Sequence, residues 1–138
     1  MTRAEIIATL HEGRYSCVID SPRGIIYGRE RGVKDLFTLL KTDPASLEGA
    51  FVADKVVGKG AAAIMIAGGV AAVYADVISE PALRLLASSP VEVSYGRAVP
   101  NIINRRGDGL CPVESLCLHV DDAGACLPLI ENFIKQKD

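Results

Sequence analysis

The sequence has few of the residues from which metal and nucleic-acid sites are usually built. It contains two histidines and four cysteines in 138 residues. The spacing of Cys111, Cys117 and Cys126 does not match a zinc knuckle, so no metal site and no cofactor are expected. The net charge is −2, and the Lys and Arg residues form no long run. Because proteins that bind a nucleic-acid backbone normally present a basic stripe, duplex DNA and RNA are not expected as partners.

Long apolar stretches are also missing. No apolar run approaches about 18 residues, so we expect no membrane-spanning helix and no membrane partner. Residues 1–5 lack the pattern of a signal peptide. Four cysteines are too few for a disulfide scaffold in a domain of this size, which indicates reduced thiols and a cytoplasmic location. With 49% hydrophobic residues and no linker or repeat, residues 1–138 are predicted to form a single domain around one core.

Helix and strand signals alternate along the first part of the chain. Thr2 and Glu5 have the spacing of a capping box, which predicts a helix through Leu10 that stops at Gly13. The elements predicted next are strands over 15–20 and 24–28 joined as a hairpin, a helix over 33–40, and a short turn from Asp43-Pro44 to Gly49.

The segment that follows has two interpretations. In the preferred one, Asp54 is the N-cap of a Gly- and Ala-rich helix that runs to Ala67. In the other, residues 51–57 form a strand and the helix begins at Lys59. In either interpretation the helix contains internal glycines, and each of them costs about 1 kcal/mol of helix stability relative to alanine. They are therefore expected where the helix packs closely on a sheet.

The remaining elements complete an α/β pattern. They are strands over 70–78 and 91–95, a helix from Ser79-Glu80-Pro81 to Leu86 between them, a polar turn over 104–109, a short helix opened by Cys111-Pro112, and a last helix over 127–137. A continuous apolar run such as 70–78 is typical of a strand that is buried on both faces. Strands that alternate with helices favour a three-layer α/β/α sandwich around a mixed sheet with a parallel section.

The order of these elements resembles the cytidine-deaminase-like superfamily. In that superfamily one site helix carries H-x-E or C-x-E, and a second opens with P-C-x-x-C. The step from Tyr74 to Pro81 is similar to the strand-to-helix step that presents P-C-x-x-C, but the two metal-binding cysteines fall at Ala82 and Leu85. The first ligand and the catalytic glutamate fall near 54–56, where the sequence reads Asp-Lys-Val. The resemblance therefore implies the fold without its zinc site.

A narrower resemblance is carried by two motifs, Asp-Lys-Val-Val-Gly-Lys over 54–59 and Gly-Leu-Cys-Pro-Val-Glu over 109–114. Together they resemble an uncharacterised prokaryotic domain-of-unknown-function family within the same superfamily. The resemblance covers nearly the whole chain. It implies a zinc-independent member of the fold and, since deaminase-like folds often assemble as dimers or tetramers, a homo-oligomer.

Four residues are the candidate catalytic groups. Asp54 and Lys55 form an acid/base or anchoring pair if a helix begins there, since the positive end of the helix dipole and partial burial would both lower the pKa of that lysine. As an alternative, Asp54 is only an N-cap and Lys55 is solvated. Cys111 falls at the N-cap of a short helix, where the dipole favours a thiolate, and Glu114 has the position from which a side chain bonds back to the cap. As an alternative, Cys111 is a buried cap.

Four more residues are candidates for ligand contacts. The amides of Gly58 and Lys59 are able to face an anion, although the spacing is not that of a P-loop. Glu80 opens the second site helix, and Asn104 lies with Arg105 and Arg106 before Gly107. As an alternative, these last three residues form only a solvated turn.

Three functions are compatible with these residues. The first is binding of a nucleotide- or base-like small molecule in a cleft lined by the four candidate catalytic groups. The second is a cysteine-dependent transfer of sulfur or an acyl group through Cys111. The third is a ligand sensor or oligomeric scaffold without catalysis. The sequence does not identify the substrate, and fold resemblance does not supply one.

Overall fold

Residues 1–30, 33–104 and 106–137 are described by the computed structural model, and within them the chain forms five strands and six α-helices. In chain order the elements are α1 (Arg3–Glu12), β1 (Cys17–Ser21), β2 (Gly24–Gly28), α2 (Lys34–Thr42), a 3-10 turn (Pro44–Ser46), β3 (Phe51–Val57), α3 (Lys59–Gly68), β4 (Ala72–Ser79), α4 (Glu80–Ala87), β5 (Glu92–Val99), α5 (Pro112–Cys117) and α6 (Ala123–Lys137). The candidate ligand residue Arg105 lies outside the described residues.

The strands form one mixed sheet in the order β2-β1-β3-β4-β5. Strand β1 is antiparallel to both of its neighbours, and β3, β4 and β5 are parallel. The hairpin between β1 and β2 turns at Gly24, whose φ of 126° suits glycine. The predicted hairpin, the mixed sheet and its parallel section are therefore confirmed.

Helices cover the two faces of the sheet unequally. Helix α1 buries Ile6 and Leu10 against Val18, Phe51 and Ala53 on one face. The other face carries the larger core, to which β1, β3, β4 and helices α2 to α6 all contribute buried residues. The α/β class is confirmed, and the part of the chain that the structure describes has one helix on one face of the sheet and five on the other.

Helix α3 is the centre of the larger layer. It contacts α2, α4, α5 and α6, and residues 59–65 are all buried. Small residues allow this crowding: a Cβ added at Gly60 would lie 2.3 Å from Cγ1 of Val113 on α5. Gly60 thus lowers the helix propensity of α3 but allows close packing. The close neighbour is helix α5, whereas the sequence suggested the sheet.

The start of α3 corrects the preferred prediction for this segment. Asp54 is not an N-cap; it lies inside β3, and the N-cap of α3 is Gly58. The alternative, a strand over 51–57 followed by a helix from Lys59, is confirmed. Tertiary pairing decides the matter, because Asp54 is in register with Cys17 on β1 and Ala75 on β4.

The other predicted elements occur with shifted ends. The capping box of α1 is present, and Ser79 caps α4 by accepting the amide of Ala82 at 3.2 Å. Strand β5 continues to Val99, and α6 begins at Ala123 rather than 127, where the Asp122 side chain accepts the amide of Ala125 at 3.1 Å. Across the described residues, no helix combines the length and apolar character needed to cross a bilayer.

Candidate functional site

A cleft of about 940 Å³ opens beside the end of β3, and its walls include residues of α5 and α6 together with residues 102–104 and 106. This volume lies at the upper end of the range that is usual for small-molecule sites. Its walls are mainly apolar, formed by Val33, Val56, Ile102, Ile103, Val113, Phe133 and Ile134. Two of these residues, Val56 and Ile103, are 47% and 53% exposed.

The structure brings most of the predicted site residues to this cleft. Those that line it are Asp54, Lys55, Gly58, Asn104, Cys111 and Glu114. Lys59 and Glu80 do not line it: Lys59 is buried, and Glu80 is exposed at the start of α4. The shared location of Asp54, Lys55, Cys111 and Glu114 is an observation, while their catalytic and binding roles stay predictions.

Asp54 is the most unusual ionisable group in the cleft. The residue is 7% exposed, and its Oδ1 accepts the amide of Val56 at 3.3 Å. Burial raises its pKa from the ordinary 3.8 to about 7, with a smaller contribution from the negative charges of Asp35 and Asp76, and backbone hydrogen bonds oppose the rise. Near neutral pH this carboxyl is therefore divided between its acid and its carboxylate, as a general acid or base requires.

Lys55 differs from its predicted setting. It lies on β3 rather than at a helix N-terminus, and its side chain is exposed at the mouth of the cleft. After Asp54 the strand loses strict alternation, since Lys55 and Val56 are both exposed and Val57 is buried. Lys55 is therefore not exposed to the helix dipole that the sequence suggested. It does lie beside the buried Asp54 in the same cleft, as expected.

Glu114 is a structural anchor. It is 1% exposed. Its Oε1 accepts the amide of Lys59 at 2.8 Å and the hydroxyl of Ser79 at 3.0 Å, and its Oε2 accepts the amide of Ile102. The predicted bond from Glu114 back to the N-cap of its own helix is wrong, because the carboxylate reaches across the domain to these three donors.

These contacts place one negative charge at the beginning of two helices. The Lys59 amide is the first of α3, and Ser79 is the N-cap of α4. Helix N-termini favour an anion, because their free amides and the helix dipole both attract negative charge. The amide of Lys59 does face an anion, as the sequence suggested, but that anion is the chain's own Glu114.

Gly58 and Lys59 serve this arrangement. A Cβ at Gly58 would lie 3.2 Å from Oε1 of Glu114, so glycine allows the close approach of the carboxylate. The side chain of Lys59 turns away from the cleft, and its Nζ donates to the carbonyl of Leu118 at 3.1 Å. Both residues therefore act in packing and anchoring at the positions where the sequence suggested ligand contacts.

Cys111 is the accessible thiol of the cleft. It is the N-cap of α5, as predicted, and is half-buried, while Cys17, Cys117 and Cys126 are buried. Burial raises the pKa of Cys117 to about 12 and that of Cys17 further still. The amide of Cys111 donates to the carbonyl of Ile102 at 2.8 Å, which fixes the cysteine against the same segment that Glu114 holds.

Asn104 organises the turn that carries Arg106. Its Oδ1 accepts the amides of Gly107 and Asp108 at 2.9 and 3.3 Å, and its Nδ2 donates to Asp108 at 3.0 Å. These bonds use both ends of the amide, so Asn104 shapes the rim of the cleft, and Arg106 is the more exposed group there.

Sequence reasoning did not identify Ser16, Lys34 and Phe133, which also line the cleft. Ser16 precedes β1, Lys34 begins α2, and Phe133 lies on α6. They are far apart along the chain, and no short motif links them, so only the tertiary fold reveals them.

Although Asp54, Cys111 and Glu114 all line the cleft, they do not form a metal-binding group. Over 1–30, 33–104 and 106–137, no three His, Cys, Asp or Glu side chains converge in a way that could hold a metal ion. The positions matched to metal-binding cysteines, Ala82 and Leu85, are packed in the apolar core.

Residues 5–134 match the family model "TM1506: Domain of unknown function (DUF1893)". The chain is similar to the crystal structure of a DUF1893 family protein (TM1506) from Thermotoga maritima, with 29% identity, a TM-score of 0.85, and coverage of 94% of this chain and 87% of that one. No curated protein matches significantly. Since the family model spans nearly the entire sequence, the chain belongs to the DUF1893 family.

Proposed function

We propose that this domain binds a base-like small molecule in the cleft, with the carboxyl of Asp54 as its main polar contact. One observation carries the proposal: a carboxyl group that is 7% exposed and has a pKa of about 7 lines a cleft of about 940 Å³. Buried ionisable groups with shifted pKa values in clefts are frequent at functional sites.

The chemistry of Asp54 suits the edge of a heterocyclic base. As a carboxylate it accepts hydrogen bonds from a ring N–H or an exocyclic amine, and as an acid it donates to a ring nitrogen. Apolar side chains such as Val56, Ile102 and Phe133 offer surfaces against which a flat ring packs. Few convergent polar groups in an apolar cleft are typical of small-molecule sites.

The proposal includes a deaminase-like frame without zinc. In the superfamily that the sequence resembles, the metal ligands come from the beginnings of two helices. Helices α3 and α4 begin at Lys59 and Glu80, and the Glu114 carboxylate bonds to Lys59 and to the Ser79 cap at those two beginnings. In this interpretation an internal anion–donor cluster replaces the metal as the link between the helices, and chemistry, if any, proceeds through Asp54.

A titration calorimetry experiment tests base binding. Adenosine, cytidine, guanosine and uridine are titrated into the wild type, into Asp54→Ala, and into Asp20→Ala as the control on β1 of the same sheet. We expect at least one nucleoside to bind the wild type and the control, with a loss of tenfold or more in Asp54→Ala. Absence of binding by all four, or equal binding by Asp54→Ala, would contradict the proposal.

A second candidate function is acyl or sulfur transfer through Cys111. Its support is the half-buried thiol that shares a cleft with the Asp54 carboxyl. A small activated thioester would then leave its acyl group on Cys111 and release its own thiol, and mass spectrometry would detect the added mass. The modification should be absent from Cys111→Ser, and labelling that persists in this variant would exclude Cys111 as the acceptor.

A further inference from the structure

The mouth of the cleft concentrates positive charge in an acidic protein. The chain carries 17 Asp and Glu against 15 Lys and Arg, yet Lys34, Lys55 and Arg106 all line this one cleft. Two acidic residues, Asp54 and Glu114, also line it. Glu114 is enclosed by three donors, and Asp54, with a pKa of about 7, is partly neutral near physiological pH.

Lys55 and Arg106 are available to a ligand. Both are exposed, and neither takes part in an ion pair among the described residues. Other exposed cations do have carboxylate partners: Arg3 pairs with Glu92, and Lys135 with Glu131.

Hydrogen bonds tie the backbone near both cations to the rest of the fold. Lys55 lies on β3 next to Asp54, and its amide donates to the carbonyl of Ser16 at 3.1 Å. Arg106 lies in the turn that Asn104 holds, closed by a bond of 2.8 Å from the Asn104 amide to the carbonyl of Gly109. Both residues line the same cleft as Asp54, so a ligand whose base contacts Asp54 occupies a cleft that also holds these two cations.

We infer that the ligand is phosphorylated, with Lys55 and Arg106 binding a phosphate monoester at the mouth while Asp54 contacts the base inside. This inference rests on the proposed function, because Asp54 fixes the direction of the ligand. A phosphate monoester carries close to two negative charges and accepts several hydrogen bonds, which matches a lysine and an arginine better than a neutral hydroxyl does.

The test compares each nucleoside with its 5′-monophosphate by calorimetry at low and at physiological salt. We expect the monophosphate to bind the wild type about tenfold tighter at low salt, with a smaller advantage as salt screens the exposed charges. In the double variant Lys55→Gln/Arg106→Gln the monophosphate should lose that advantage, while the nucleoside affinity stays within about twofold. The matched control is Arg84→Gln/Lys135→Gln, which removes two exposed cations that do not line the cleft and should keep the advantage.

The outcomes separate this inference from the proposed function. If nucleosides bind and their monophosphates bind no tighter, or if the Lys55/Arg106 variant keeps the phosphate advantage, the phosphate site is wrong and base binding stands. If ribose 5-phosphate binds as tightly as the nucleotides and nucleosides do not bind, the phosphate site is supported and base binding is wrong. If no probe binds, both are overturned.

Discussion

Replacement of Asp54 by asparagine should change how the stability of the domain depends on pH. The folded state raises the pKa of this carboxyl from 3.8 to about 7, chiefly because burial disfavours the charged form. Between these values the folded protein keeps a proton that the unfolded chain has lost. The free energy of unfolding contributed by Asp54 therefore falls as pH rises from about 4 to about 7, and changes little above that range.

The size of the effect follows from the shift. The pKa of Asp54 rises by about 3, which corresponds to about 4 kcal/mol in the free energy of unfolding, at about 1.4 kcal/mol for each unit of pKa. Asparagine has nearly the same shape, carries no charge, and still offers an oxygen to the Val56 amide. The free energy of unfolding of Asp54→Asn minus that of the wild type should therefore increase by about 4 kcal/mol as the pH rises from 4 to 8.

Urea unfolding followed by circular dichroism at several pH values measures this difference, provided that the transition is two-state. Asp20→Asn, on the neighbouring strand β1 and outside the cleft lining, is the control for a general effect of removing an aspartate from the sheet. If the difference in free energy of unfolding between Asp54→Asn and the wild type changes by less than about 1 kcal/mol from pH 4 to pH 8, Asp54 is not a buried carboxyl with a raised pKa.

Three further predictions concern the surroundings of the cleft. Glu114→Ala should lower the free energy of unfolding by about 3–5 kcal/mol, because it leaves three donors at 59, 79 and 102 without their acceptor. Gly60→Ala should cost about 1–3 kcal/mol, because its Cβ would lie 2.3 Å from Val113; both are measured by urea unfolding. In the native protein, iodoacetamide should modify Cys111 well before the three buried cysteines, which peptide mass spectrometry resolves.

Each of these has a matched control. Glu92→Ala removes an exposed carboxylate paired with Arg3 and should cost less than about 1 kcal/mol. Gly109→Ala, whose Cβ would have Asn104 Nδ2 at 3.6 Å as its nearest contact, should also have a small effect. A Glu114 variant as stable as the Glu92 variant, a Gly60 variant as stable as the Gly109 variant, or equal labelling of Cys111 and Cys117 would contradict the corresponding prediction.

Light scattering tests the predicted homo-oligomer. A mass of one chain, 14.6 kDa, at micromolar concentration would contradict it.

Local signals in the sequence were sufficient for much of the fold. Thr2 with Glu5, and Ser79 before Glu80-Pro81, are short-range capping patterns, and the structure contains both. The order of strands and helices also indicated a mixed α/β sheet. These features depend on residues that are neighbours along the chain, which is why a single sequence reveals them.

The start of α3 shows where local reasoning fails. Asp54 has the composition of an N-cap, but pairing with β1 and β4 places it in a strand. Glu114 gives a similar lesson, since its position suggested a local cap and its carboxylate instead bonds to residues 12, 35 and 55 positions away. In both cases a long-range contact outweighs a local preference of about 1 kcal/mol.

The cleft itself was foreseen only in part. Asp54 and Cys111 were identified because each belongs to a motif, whereas Ser16, Lys34 and Phe133 come from three separate elements. The raised pKa of Asp54 was not foreseen either, since it depends on burial, which a position in the sequence alone does not reveal.

Ligand binding in the cleft is best measured by a nuclear magnetic resonance titration of the ¹⁵N-labelled protein with nucleosides and nucleoside monophosphates. Ligand-dependent shifts should concentrate on amides that line the cleft, such as Val56, Gly58 and Cys111, and should be lost in Asp54→Ala. If no amide chemical shifts change at millimolar ligand, or if the changes lie on the opposite face around α1, the cleft is not a binding site for base-like molecules.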